Sequence, residues 1–151
     1  MQLSLLRSPT DPNPEADQGE IPFTYSLLPH SGTLAETDVP KQAYYLNQPM
    51  VAVAATGERD TLPTAYCPLS LDCENVICET VKQAEDGEGT VLRLYECRNR
   101  RTEAHLTLGL PAKQVFLCDM MERELCELPL SDGRVTLPLG GFEILTLKIK
   151  A

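Results

Sequence analysis

Tryptophan is absent, aromatic residues make up 5% of the chain, and histidine occurs only twice, at His30 and His105. A metal shell of three imidazoles is therefore excluded, and a site needing two would draw both from positions far apart in sequence. Carbohydrate modules that stack sugars on flat rings have no indole to use here, and the adjacent Tyr44 and Tyr45 can offer at most one outward ring on a short helix. Basic residues are also in the minority, with 13 Lys+Arg against 22 Asp+Glu and a net charge of −9. That balance repels phosphate backbones, so no nucleic acid is expected as a partner. No run approaches the roughly 20 apolar residues of a membrane helix, so no membrane partner is expected either. Met1 to Thr10 lacks the charged and apolar regions of a secretory signal. No Asn-x-Ser/Thr acceptor occurs at Asn13, Asn47, Asn75 or Asn99. A cytoplasmic location is the expectation.

Several motifs are missing as well. The six cysteines (Cys67, Cys73, Cys78, Cys97, Cys118, Cys126) include no C-x-x-C pair that could supply two metal ligands from one turn. With no secretory signal, buried free thiols are expected rather than a disulfide framework. No G-x-x-x-x-G-K or G-x-G-x-x-G phosphate loop and no G-x-S-x-G elbow is present. Glu85-Asp86-Gly87-Glu88 lacks the ligand spacing of a calcium loop. The densest carboxylate group, Asp119, Glu122, Glu124 and Glu127, surrounds Arg123 and reads as a solvated edge rather than a glycosidase pair. Arg98-Asn99-Arg100-Arg101, flanked by Glu96 and Glu103, reads as a strand-end loop held in water. No catalytic centre can be assembled from these residues.

The residues that are present describe strands and turns. At 151 residues and 42% hydrophobic content the chain can bury a core without staples. Phe23, Tyr25 and Leu27 alternate with polar neighbours, predicting a half-buried strand, and Gln2 to Leu6 and Met50 to Ala55 are further candidates. Pro9, Pro12 and Pro14 keep Ser8 to Gly19 a loop. Thr37 or Asp38 can cap a short helix with Pro40 in its first turn, ended by Asn47-Gln48-Pro49. Beyond Thr64 strands recur at short intervals. Asn75 to Gln83 and Thr90 to Arg98 flank the Asp86-to-Gly89 turn, with Leu92, Leu94 and Glu96 on one face. Ala104, Leu106, Leu108 and Leu110 line up opposite His105 and Thr107. Asp132-Gly133 suits a type I′ hairpin turn, and Phe142 to Ile149 is the last strand. The fold class is all-β, an antiparallel sandwich with one short helix.

Taken together, the motifs resemble a known family. Leu5-Leu6-Arg7-Ser8-Pro9 precedes Asp17-x-Gly19, Phe23-Thr-Tyr25-Ser-Leu27-Leu-Pro29-His30-Ser-Gly32 and Ala43-Tyr-Tyr-Leu46-Asn47-Gln-Pro49. Glu79-Thr-Val-Lys-Gln-Ala-Glu85, Leu92-Arg-Leu-Tyr-Glu96, Leu117-Cys-Asp119 and Phe142-Glu-Ile-Leu-Thr-Leu147 follow. These blocks resemble the C-terminal β-sandwich region of family-38 glycoside hydrolases, the α-mannosidases, most closely their bacterial and cytosolic types. The chain departs from that pattern at Ile21-Pro22, where relatives carry a polar residue.

The resemblance implies a fragment, with Met1 not the natural start of the enzyme. Residues 1–55 would be the tail of a larger central sandwich, 56–64 a linker, and 65–150 a small terminal sandwich. Zinc and an Asp nucleophile would belong to the parent's β/α barrel, which hydrolyses terminal α-D-mannosides with retention. The chain itself would be non-catalytic, supporting the barrel, and would contain no cofactor. The alternative is a carbohydrate-binding module recognising mannose-containing glycans independently. Expected partners are the parent's barrel and helical domains and, for the parent, a mannose-containing glycan; a homo-oligomer is also considered. His30 and Arg7 are the candidate domain-interface or substrate-side residues, His30 being more simply a tie for the loop after it.

Overall fold

The alternating second half of the chain folds as eight strands: β1 (Leu69–Leu71), β2 (Val76–Gln83), β3 (Thr90–Glu96), β4 (Thr102–Leu108), β5 (Gln114–Cys118), β6 (Glu124–Leu128), β7 (Arg134–Leu139) and β8 (Ile144–Lys150). The computed structural model describes residues 3–54 and 65–151. Two compact units divide the chain, Met1–Ser31 and Gly32–Ala151. The expected linker, 56–64, lies outside the described residues.

In the first unit the strands expected at Gln2–Leu6 and Phe23–Leu27 do not form among the described residues. Phe23, Tyr25 and Leu27 are mostly exposed rather than half-buried. Alternation marks which side chains share a face, but a strand needs a neighbour to accept its hydrogen bonds, and none pairs with this segment. The same correction applies to residues 50–54 of the strand expected at Met50–Ala55, Ala55 lying outside the described residues. Residues 50–54 join no ladder, and Met50, Val51 and Val53 stand in solvent.

The second unit is an antiparallel β-sandwich. One sheet has the order β1-β4-β7 and the other β2-β3-β8-β5-β6. The inward side chains follow the period of two: Ala104, Leu106 and Leu108 from β4, Val135, Leu137 and Leu139 from β7, and Leu92 and Leu94 from β3. They join Val115, Leu145, Leu147 and Ile149 in one core. Each buried leucine contributes about 1.5–3 kcal/mol. His105 and Thr107 point outward, as the alternation predicts.

The five-stranded sheet departs from simple alternation. Val91, Thr146 and Lys148 lie on its outer side yet are buried. The β2–β3 and β5–β6 turns fold over that side, joined where Glu122 Oε2 accepts the Glu85 backbone N–H at 2.8 Å. At Ser131–Arg134 the turn chemistry is as read, with Asp132 and Gly133 at φ 50° and 72° and a Ser131–Arg134 bridge. The strands it joins nevertheless belong to different sheets, so no long hairpin follows.

A short helix, α1 (Val39–Asn47), has Asp38 at its N-cap and a proline in its first turn. The Asp38 side chain does not cap; it accepts from Arg98 Nη2 at 3.0 Å. Together with a Tyr95–Tyr44 hydroxyl contact of 3.3 Å, this fixes α1 against β3.

The free sheet edges are blunted. β1 is three residues long, β2 carries a bulge between Cys78 and Thr80, β6 presents Glu124 and Glu127, and β7 contains Pro138. Extension by another chain's strand is disfavoured at each.

Gly89 makes the β2–β3 turn possible. It sits at φ 111°, and a Cβ there would run into the Ile149 carbonyl oxygen. Gly89→Ala is expected to lower stability by at least about 1 kcal/mol in chemical denaturation. An unchanged denaturation midpoint would show that this turn can move aside.

Candidate functional site

The most highly connected polar side chain is Glu96, at the inward end of β3 and fully buried. Its Oε2 accepts the Phe142 N–H at 2.9 Å, and its Oε1 accepts the Arg98 N–H and the Asn75 side-chain amide, each at 2.8 Å. Asn75 Nδ2 also reaches Thr102 Oγ1 at 2.6 Å. One carboxylate thus gathers the entrance to β2, the β3–β4 turn and the β7–β8 turn. Burial pushes the carboxyl's pKa up, but the donors from Phe142, Asn75, Arg98 and Arg100 outweigh it and hold it at about 2. At neutral pH the group is charged and ties three segments together. An acidic residue at an inward position of an otherwise apolar strand, Leu92-x-Leu94-x-Glu96, was the sequence signal for it.

The acidic group at 119–127 is the expected solvated edge at Glu124 and Glu127, but not at Glu122. Glu122 is buried at φ 65°, with its carboxylate 2.7 Å from Lys82 Nζ. The Lys82 hydrogen bond, then the Glu85 N–H, hold its carboxyl below the ordinary range. Asp119 Oδ1 instead accepts the Met121 and Arg123 N–H groups, closing the turn. Glu124 lies 2.7 Å from Lys150 Nζ, and Lys148, buried on the same side, binds Asp86. The physical reason for the difference is the hairpin loops: they exclude water and bring cations from β2 and β8 over the group. Glu122 and Glu124 are neutralised by these cations and Asp119 is bound to its own turn, which leaves Glu127 as the exposed member without an ion pair among the described residues.

The basic run divides similarly. Arg98 is mostly buried, bound to Asp38 and 3.7 Å from Glu74, whereas Arg100 and Arg101 are exposed. His105 Nδ1 lies 2.7 Å from Asp72 Oδ2, and the His105 N–H donates to Asp72 Oδ1 at 2.8 Å. Those bonds lower the Asp72 carboxyl and pin β1 to β4. His30 and Arg7, both in the first unit, are exposed. His30 Nδ1 lies 3.4 Å from the Ser31 carbonyl oxygen, a contact with the next residue.

Zinc needs at least three converging donors. No group of three His, Cys, Asp or Glu among the described residues could hold a metal ion. With His105 committed to Asp72, the donor set does not fit one. The thiols are free, but only Cys118 is buried; Cys73, Cys78 and Cys97 are half-buried, and Cys67 and Cys126 are exposed. The expectation of buried thiols is corrected for two of them: Cys67 precedes β1 and Cys126 lies on the exposed edge strand β6.

Open depressions are the remaining places for a ligand. One of about 450 Å³ is lined by Thr107, Ser131, Asp132, Arg134 and Thr136. Another, of about 410 Å³, lies between α1 and β2, with Lys41, Tyr45, Gln48 and Glu79 among its walls. Tyr45 is the one outward ring of the tyrosine pair, since Tyr44 turns to Tyr95.

A family model, the glycosyl hydrolases family 38 C-terminal beta sandwich domain, matches residues 75–147. Alpha-mannosidase 2C1 of Homo sapiens is 38% identical over an alignment of 152 positions that covers 97% of this chain and 14% of that protein. Alpha-mannosidase G of Dictyostelium discoideum is 32% identical over 155 residues, again 97% and 14%. Alpha-mannosidase of Saccharomyces cerevisiae is 27% identical over 171 residues, 99% and 16%. The chain therefore spans 14–16% of the length of these relatives.

Glu96 lies inside the matched segment and sets an acid limit on its stability. An unfolded glutamate titrates near 4.5 and the folded one at about 2, so between those values the unfolded chain binds more protons. The contribution of Glu96 is therefore full above about pH 4.5 and is lost as pH drops toward 2. Glu96→Gln, which turns an amide N–H₂ toward buried donors, is expected to cost about 3 kcal/mol at neutral pH. It should also flatten the acid dependence over that window. Denaturation midpoints measured from pH 2 to 7 check both; an unchanged slope would remove Glu96 as the titrating group.

Proposed function

Since residues 75–147 are a C-terminal β-sandwich domain of glycosyl hydrolases family 38, we propose that this chain is a non-catalytic part of an α-mannosidase and supports its catalytic barrel. The observation that carries the reading is the alignment: nearly the whole chain matches one stretch of proteins named α-mannosidases, and that stretch is a small part of each. The chain's own chemistry agrees with it. Glu96, Glu122 and His105 are all engaged in bonds that hold strands and turns together. On this reading the zinc ion and the nucleophile reside in the parent's barrel, and a mannose-containing glycan binds there. Residues 1–55 belong to a central sandwich of the parent, with Arg7 and His30 at its interface or substrate side. The free thiols, Cys67 and Cys126 exposed among them, support a reducing, cytoplasmic setting.

Purified residues 1–151 are expected to leave an aryl α-mannoside intact with or without added zinc. Zinc-dependent hydrolysis by the fragment would overturn the reading. The competing reading, independent sugar binding, is favoured by one observation, the exposed Tyr45 ring beside the α1–β2 groove. Calorimetric titration with mannose oligomers separates the two: the supporting role predicts no saturable heat, and a saturable isotherm lost in Tyr45→Ala would favour the module.

A further inference from the structure

Two buried donors on the outer side of the five-stranded sheet have poor acceptors or none. They belong to Arg93 of β3 and Thr146 of β8, which are register partners. Arg93 Nη2 donates to the Met120 carbonyl oxygen at 3.2 Å and lies 3.9 Å from Glu122 Oε1. The Arg93 Nε–H, by contrast, is buried with no partner among the described residues. Thr146 is 3% exposed, and the bond its hydroxyl makes is to the Met120 thioether sulfur, at 3.9 Å. A thioether is a weak acceptor, so neither donor recovers what it loses by leaving water.

Met120 touches both residues and is open to reagents in solution. It is 59% exposed, in the turn that Asp119 closes by accepting the Arg123 N–H. A hydroperoxide oxidises such a thioether by giving it one oxygen. The sulfur lone pair attacks the terminal peroxide oxygen, and the O–O bond breaks as the S–O bond forms. The proton of that oxygen leaves with the departing one, as water or an alcohol; sulfur loses two electrons and the peroxide gains them. The sulfoxide oxygen is a strong acceptor where the sulfur was a weak one. In an apolar core that change disrupts packing. At Met120 it delivers an acceptor to a place that holds two donors, and the unbranched side chain can turn to aim it.

We propose that Met120 is a modification site for hydroperoxides, its sulfoxide oxygen being received by the Thr146 hydroxyl and the Arg93 Nε–H. Oxidation then latches the β5–β6 turn onto β3 and β8, where the reduced sulfur holds it weakly. The same turn carries Glu122 to Lys82, so the latch also secures the cover over the sheet. Met121, 71% exposed in the same turn, is the natural comparison: its N–H goes to Asp119 Oδ1, away from both donors. The inference stands apart from the supporting role proposed above, because every group it uses lies within the sandwich.

The test treats residues 1–151 with hydrogen peroxide and restores the thiols with dithiothreitol, which leaves sulfoxides in place. Peptide mass spectrometry then locates the oxidised methionines. Met120→Leu, treated in parallel, reports what oxidation of the other methionines does to the melting temperature. Against that baseline, oxidation of the unsubstituted chain is expected to raise the melting temperature by about 3 °C or more. Thr146→Val should abolish the rise. A second readout is repair: methionine sulfoxide reductases of both epimer types should reduce Met120 at least about fivefold more slowly than Met121 in the folded chain. No rise over Met120→Leu, an undiminished rise in Thr146→Val, or repair of Met120 as fast as Met121 each overturns the inference. So does a Met120 that stays unmodified while Met121 is oxidised. Should Thr146→Val fail to fold, the Met120→Leu comparison and the repair rates decide alone.

Discussion

A single buried carboxylate, Glu96, holds the open end of this sandwich together. A β-sandwich is bonded along its sheets but not across its ends, where chains leave one sheet for the other and their backbone N–H groups lose ladder partners. Glu96 accepts from a turn N–H on each of two such crossings and from the side chain at the start of β2. Burying a charge is unfavourable unless hydrogen bonds surround it, and here several donors do so, which is why burial ends in a lowered pKa. The apolar core beneath it supplies the bulk of the stabilisation, and Glu96 fixes which ends of which strands that core must join.

Lys148 faces the corresponding problem on the outer side of the five-stranded sheet. Its ammonium is buried and reaches Asp86 and Glu124, while Lys82 and Arg93 approach Glu122. A buried ion pair adds little net stability compared with apolar packing, but breaking one partner leaves an uncompensated charge. The network therefore acts mainly on geometry: it decides how the two hairpin loops lie over β3 and β8. That cover explains why an outward strand position such as Val91 is fully buried.

Four of the eight strands, β2, β3, β4 and β8, were legible because alternation is a local signal and each apolar face found a partner within the chain. Alternation misled at Phe23–Leu27, and the apolar run misled at residues 50–54, because no neighbouring strand pairs with either among the described residues. Pairing is a property of two segments, and one segment's pattern cannot supply the other. Turn chemistry behaved similarly: Asp132-Gly133 specified its local conformation, yet which sheets the flanking strands joined depended on the core. The polar site was least legible. Glu122 looked solvated among its acidic neighbours because the cations that bury it, Lys82 and Arg93, are far off in sequence. Glu96 was on the inward face by count, and only the convergence of three separate segments explains why a charge can stay there.

Those distant convergences also connect the interior to the surface. The bond that satisfies Glu96 is the one that holds Phe142 in its left-handed conformation, so the carboxylate's stability and the ring's position are set together. Neighbouring Gly141 makes the same turn compact, because a Cβ there would run into Asn99 of the β3–β4 crossing, itself at φ 55°. Two crossings from opposite sheets are thereby locked against each other, and neither can relax without unseating Glu96. The carboxylate that closes the core and the exposed Phe142 ring are therefore two sides of one arrangement.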